Sequence, residues 1–238
     1  MRRKRWALAA LSAVMTLMFL SLGIWQVERR AWKLALISAV EERVHAPPRS
    51  APPPSSWRSL DARRDAYLHV TVRGRFLNAA ETRVQALTED GAGFWVMTPL
   101  RTETGFVVLV NRGFVPPERA NPATRPPVGG VVDVTGLLRM TEPGGSIMRS
   151  NQPTQDRWFS RDVAAIARAR ALQQAAPYFI DADSTANAGG WPRGGMTVLN
   201  FPNNHLVYSI TWFALAMLSL VGLVLVLRTP RVRAGPQH

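Results

Sequence analysis

The residue best placed for chemistry is a histidine at the mouth of a long apolar segment. His205 opens the run Asn204-His205-Leu206-Val207-Tyr208-Ser209-Ile210-Thr211-Trp212, and no charged residue follows it before Arg228. On a helix, positions three, four and seven residues on share a face with the first, so Tyr208, Ser209 and Trp212 line the His205 side. A neutral imidazole is a metal ligand, and two aromatic rings beside it are walls for a flat apolar group. Histidine and aromatic side chains are also tolerated where lipid meets water, so position alone leaves a plain interfacial role open.

Two apolar segments must position these residues. One spans 6–27, after Arg2, Arg3, Lys4 and Arg5, and the other spans 206–227. Each matches the roughly 20 residues that cross a ~30 Å hydrocarbon core. The alternative for the first is a signal peptide. Its apolar run exceeds the roughly 7–15 residues of a signal h-region and no A-x-A-like site follows, which favours an uncleaved anchor. Arg228, Arg231 and Arg233 follow the second segment, so positive charge flanks both chain ends, as on the cytoplasmic side of a bilayer. The expected organisation is a cytoplasmic 1–5, a transmembrane helix over 6–27, one external (periplasmic) domain over 28–204, a second transmembrane helix over 205–227 and a cytoplasmic 228–238.

The formal charge of +13 is largely topological. Once the flanks are set aside, the excess is modest and scattered, without a basic helix or an aromatic-interleaved patch, so nucleic acid is not an expected partner. The partner implied is the lipid bilayer. Cysteine is absent, which excludes disulfides, thiolate metal sites, Fe–S clusters and thiol nucleophiles. The first span begins almost at Met1 and arginine far outnumbers lysine, features expected of a bacterial plasma-membrane protein from a GC-rich genome rather than an organellar one.

Between the spans, helical periodicity continues over 28–44, and a proline-rich stretch over 46–56 predicts a semi-rigid linker. Leu68, Val70 and Val72 alternate with His69, Thr71 and Arg73, the period of a half-buried strand. Further strands are expected over 82–87, 94–100, 106–111, 131–138, 178–181 and 196–199. Turns are expected at 89–93 and 102–105, the first including Gly91-Ala92-Gly93. Only 161–174 predicts a helix, with Ser160 as N-cap and Pro177 beyond its end. The fold class is thus an α+β membrane protein: a two-helix transmembrane hairpin with an external, mainly antiparallel β domain carrying one helix.

Catalytic signatures are missing. His45, His69, His205 and His238 have no metal-ligand spacing among them, and no nucleophile elbow, zinc-protease helix or phosphate loop occurs. Asp181 and Asp183 predict a solvated turn beside Ser184-Thr185. The His205 face continues through Ser209, Trp212, Ala216 and Ser219, and the first span carries a matching stripe of Ser12, Thr16, Phe19, Gly23 and Gln26. Stripes of small and polar residues predict helix pairing. Pairing sets Trp25 and Gln26 at the depth of His205 and Tyr208, with Arg29, Arg30 and Lys33 one turn above. An imidazole for a metal, aromatic walls and guanidinium groups for carboxylates together describe a porphyrin site.

Three ordered blocks carry a family resemblance. They are Leu22-Gly23-Ile24-Trp25-Gln26 with Arg29 and Lys33; Gly105-Phe106-Val107-Val108-Leu109-Val110-Asn111-Arg112-Gly113-Phe114-Val115-Pro116; and Asn204-His205-Leu206 with Tyr208, Thr211 and Trp212. Together they resemble the surfeit-locus-one family of cytochrome c oxidase assembly factors. Phe114 stands where that family usually has Trp, and Ser209 where Ala is commoner. The resemblance implies a non-enzymatic factor that binds haem a as transient cargo, with His205 on the haem iron, and aids its insertion into oxidase subunit I, with a haem a synthase as a further partner. The site residues expected around the haem are His205, Tyr208, Trp212, Trp25, Gln26, Arg29 and Arg30. Two alternatives stand beside it: a membrane scaffold that stabilises an oxidase subunit without binding haem, and a haem-modifying enzyme, for which no catalytic constellation is present. For Asn111-Arg112-Gly113 the expectation is a tight turn after a buried strand, with a partner-contact surface as the alternative.

Overall fold

The computed structural model describes residues 2–146, 149–199 and 201–228, so Arg231, Arg233 and His238 lie outside the described residues. It divides into a unit containing most of the two long helices and a β unit, Val40–Leu199.

The helices are α1 (Arg2–His45) and α4 (His205–Arg228). Both are long and apolar enough to cross a membrane. Helix α1 runs unbroken past the apolar segment, as the continued periodicity of 28–44 predicts, because no Pro or Gly interrupts it after Gly23. The two are not consecutive in the chain. The whole β unit stands between them in the chain, as the expected organisation has it, so they are not adjacent elements of a simple hairpin.

The β unit holds β1 (Arg49–Ser50), β2 (His69–Phe76), β3 (Thr82–Thr88), β4 (Gly91–Thr102), β5 (Val107–Val115), β6 (Val132–Met140) and β7 (Ala175–Ala182). Two helices accompany them, the four-residue α2 (Ala62–Asp65) and α3 (Val163–Ala169). Strand β2 pairs with β6 over its first part and with β4 over its end, changing partner at Gly74. Since β6 pairs with β7, β7 with β5 and β5 with β4, the five strands close on themselves. Closure leaves no free edge among them. Strand β3 extends β4 as a hairpin, and β1 lies along β2. The β5–β7 and β1–β2 pairings are parallel, a departure from a purely antiparallel sheet.

Strand β5 explains its own sequence. All nine of its residues are buried, so both faces need apolar side chains and the alternation disappears. Val108 and Val110 face the barrel interior with Val70, Leu100, Leu138, Tyr178 and Ile180. Leu109 faces outward, where it packs with Phe179, Trp158 and Ile166 of α3. Each such side chain contributes about 1.5–3 kcal/mol through burial.

Several sequence expectations are corrected here. The proline-rich stretch is no linker but a docked strap: Ala51 enters the barrel core, and the Tyr178 hydroxyl donates to the Pro52 carbonyl at 2.8 Å. Helix α3 is shorter than 161–174 and is capped by Asp162, whose carboxylate accepts from the Ala165 amide at 3.0 Å, while the Ser160 hydroxyl donates to the Glu142 carbonyl. It ends well before Pro177, because Ala171 takes a left-handed conformation (φ 51°). Gly91, Ala92 and Gly93 belong to β4 rather than to a loop. Residues 196–199 form no strand, because the edge of β5 beyond Asn111 is taken by Arg193 in a single bridge to Phe114. Asn111, Arg112 and Gly113 are not a turn but continue β5. Gly113 is needed there because its φ is 124° and a Cβ would overlap the Arg193 carbonyl.

Candidate functional site

Helix α4 begins at His205, and helix α1 presents Gln26 to it. The His205 Nδ1 lies 2.7 Å from the Gln26 side-chain oxygen. An amide oxygen only accepts, so Nδ1 donates to it, and in the neutral imidazole Nε2 then keeps its lone pair. Gln26 is buried, which strengthens the bond and holds the imidazole at one orientation. Metal-bound histidines are held in the same way, by an acceptor on the nitrogen that does not face the metal.

Below that contact the helices meet along the two stripes read from sequence. Thr16, Gly23 and Gln26 are the buried positions of the α1 stripe, and Ser209 and Ala216 those of the α4 stripe. The Ser219 hydroxyl donates to the Ser12 carbonyl at 3.0 Å, and Trp212 stacks on Phe19 with ring centroids 5.7 Å apart. Gly23 sits under the Phe213 ring, where a Cβ would overlap it. The hydroxyls of Thr16 and Ser209 donate to carbonyls of their own helices, which satisfies them without water.

The seven residues expected at the site are distributed unevenly. His205 and Gln26 are joined, and Trp212 lies further along the same face. Trp25 and Tyr208 are each a little over half exposed and turn their rings away from the helix–helix contact, in the manner of side chains that meet lipid or a ligand. Arg29 stacks its guanidinium 4.1 Å over the Trp32 ring, Lys33 lies 5.8 Å from the Phe201 ring, and Arg30 is half-buried. Among the described residues no group of three or more His, Cys, Asp or Glu could cage a metal ion. A single imidazole with one free nitrogen suits an axial position on a metal already held by a macrocycle.

Two polar constellations in the barrel escaped the sequence reading. Asp181 is buried, not a solvated turn residue. Its carboxylate accepts from Asn111 at 2.8 Å, Arg139 at 2.8 Å, Arg161 at 3.2 Å and the Thr197 hydroxyl at 3.0 Å. Burial pulls the Arg161 guanidinium down, but the Glu142 hydrogen bond and the charges of Asp181 and Glu142 outweigh it and raise its pKa. Asp183 does cap a turn, accepting from the Thr185 amide at 2.9 Å. The second constellation is Arg112, which points from β5 to the barrel end near Phe76, its guanidinium 5.2 Å from that ring. Burial lowers its pKa, with the neighbouring charges of Glu81 and Arg125 acting in opposite senses. The signal available in sequence was the abrupt Asn-Arg inside an apolar run. Nothing local says which barrel face each residue meets.

Comparison with known proteins places this architecture. Residues 13–217 match the SURF1 family. Surfeit locus protein 1 of Homo sapiens is 38% identical over 215 residues, covering 82% of this chain and 69% of that protein. The Mus musculus protein of the same name is 37% identical over 213 residues, covering 82% and 67%. A SURF1-like protein of Monosiga brevicollis is 34% identical over 245 residues, covering 97% of this chain and 90% of its own length. The match takes in most of α1, the barrel and the first half of α4 with His205, and by it the chain belongs to the SURF1 family, a family of assembly factors rather than enzymes.

Proposed function

We propose that this protein serves the assembly of a haem–copper terminal oxidase by holding haem a at the outer membrane boundary and passing it to subunit I. The observation that carries the reading is the His205–Gln26 pair, which leaves the imidazole Nε2 free at the end of an apolar helix. Haem a is the cargo; it would bring an iron that takes an axial imidazole and propionates that take guanidinium groups. Trp25 and Tyr208 offer exposed rings to the porphyrin plane, Trp212 stacks on Phe19 in the helix contact below His205, and Arg29 and Arg30 supply cations at the level of the aqueous boundary. Gln26 acts here on the histidine rather than on the porphyrin.

The topology that goes with this function puts 1–5 and 228–238 in the cytoplasm, helices over 6–27 and 205–227 in the bacterial plasma membrane, and 28–204 outside. Positive charge at both apolar segment ends supports it. A reporter active only outside the cytoplasm, fused after His238, stays silent if this is right.

The decisive experiment is purification of the full chain with haem a available, followed by absorbance in the Soret region. Wild type acquires the band, and His205→Ala loses most of it while expression and membrane insertion persist. A His205→Ala protein with unchanged spectrum and occupancy refutes the ligand role. A wild type that never acquires the band favours the haem-free scaffold, which would hold an oxidase subunit only.

A further inference from the structure

On the inner face of β5, across the strand from the Asp181 network, the barrel opens into a cavity of about 410 Å³. Its walls are chiefly apolar, from Phe76, Val110, Val128, Val132 and Val134, and the loop carrying Ala186 forms one rim. Arg112 lies against it. This residue is only 5% exposed, its Nε has no hydrogen-bond partner, and its one recorded bond runs from Nη2 to the Asn187 side-chain oxygen at 2.9 Å. No carboxylate pairs with it among the described residues.

The neighbouring charges sharpen the imbalance. Glu81 and Arg125 are themselves buried and bonded to each other at 2.6 Å, so the carboxylate nearest to hand is already engaged. Glu81 is thus committed to Arg125, and the three side chains together hold one net positive charge with no carboxylate bonded to Arg112. Asp133 and Asp183 also line the cavity, but Asp133 pairs with Arg73 at 2.6 Å and Asp183 caps its turn. A buried charge without a partner is strongly unfavourable unless something supplies the opposite sign.

We infer that the barrel mouth is a binding site for a small-molecule carboxylate with an apolar body, anchored by Arg112. A cavity of this size falls in the range of small-ligand sites, and barrel mouths commonly serve as such. One cation at the end of apolar walls fits a carboxylate monoanion, whereas a phosphate dianion calls for more positive charge than the single guanidinium that lines the cavity. The site shares no residue with the His205 region and stands independently of the haem reading.

The test uses the full chain in lipid nanodiscs and two probes, 3-phenylpropionate and its uncharged amide, followed by ligand-detected NMR. The carboxylate binds, and the amide binds roughly tenfold more weakly or worse, since only the former meets the guanidinium. Arg112→Gln abolishes that preference. Because Arg112 is buried, the second variant is Ala186→Trp, which fills the cavity from an exposed rim position and blocks both probes while leaving thermal unfolding unchanged. Equal binding of acid and amide, retention of the preference in Arg112→Gln, or unimpaired binding in Ala186→Trp overturns the proposal, as does inorganic phosphate displacing the probe more effectively than a second carboxylate does.

Discussion

Replacing Gln26 by Leu removes the acceptor from His205 Nδ1 while keeping the residue's approximate volume in the helix contact. The bond is short, at 2.7 Å, and Gln26 is 9% exposed, so water cannot easily replace it. A net hydrogen bond is worth about 0.5–1.5 kcal/mol, and leaving the Nδ1–H unpaired in a buried setting costs about 1–3 kcal/mol. The variant imidazole is also free to carry its proton on Nε2, the nitrogen required for iron. Losses of this kind at outer-shell partners of metal-bound histidines run to about 10–100-fold in affinity, or roughly 1.4–2.7 kcal/mol. Titrating the detergent-purified full chain with haem a, and following the Soret band, should therefore give a dissociation constant about 10–100 times higher for Gln26→Leu. Gln26→Glu keeps an acceptor and should stay near wild type. If Gln26→Leu binds within about twofold of wild type while His205→Ala does not bind, the orienting role assigned to Gln26 is wrong.

Three further outcomes follow from the geometry. Asp181→Asn leaves Arg139 and Arg161 facing a neutral amide, and loss of one partner from a buried ion pair costs about 3–5 kcal/mol, so thermal unfolding of the full chain in detergent should move sharply downward; an unchanged transition would show that the two arginines find other partners. Tyr178 is buried, and burial raises its phenol pKa above the ordinary value of about 10, so its contribution is intact below pH 10 and declines above it by up to about 1.4 kcal/mol per pH unit. Denaturant titrations at pH 9 to 11 should show that decline, and Tyr178→Phe should lessen it; an equal decline in the variant would assign it elsewhere. Gly23→Leu should part the helices against the Phe213 ring. In a chain free of cysteine, a Ser12→Cys, Ser219→Cys pair reports the contact directly, and its cross-linking yield should fall in the Gly23→Leu background.

Much of the helix packing beside His205 was legible in the sequence. The stripe Ser12, Thr16, Phe19, Gly23 and Gln26 and its counterpart His205, Ser209, Trp212, Ala216 and Ser219 are helical-period patterns, and each turned out to be the packed face of its helix. The histidine that opens the second apolar segment stood out for the same reason: on a helix, sequence spacing is spatial spacing. The strands over 69–76, 82–88 and 132–140 were likewise readable from alternation or from turn residues on either side. The long helix beyond the first apolar segment needed only the absence of a breaker.

What spacing along the chain determined, then, is the type and apolar face of the two long helices and of the alternating strands, and the place of His205 at the start of an apolar helix. Which elements meet was decided only in three dimensions. Partner choice depends on pairing between strands tens of residues apart, such as β2 with β6, and local periodicity carries no record of it. Closure of the barrel turned a proline-rich stretch into a docked strap and put Asn111 and Arg112, adjacent in sequence, on opposite faces of one strand. The outer face gave Asn111 the Asp181 network, while the inner face left Arg112 at the barrel mouth without a counter-charge. The Gln26–His205 bond is of the same kind, joining residues 179 positions apart, because only the packing of two non-consecutive helices brings that acceptor to the imidazole.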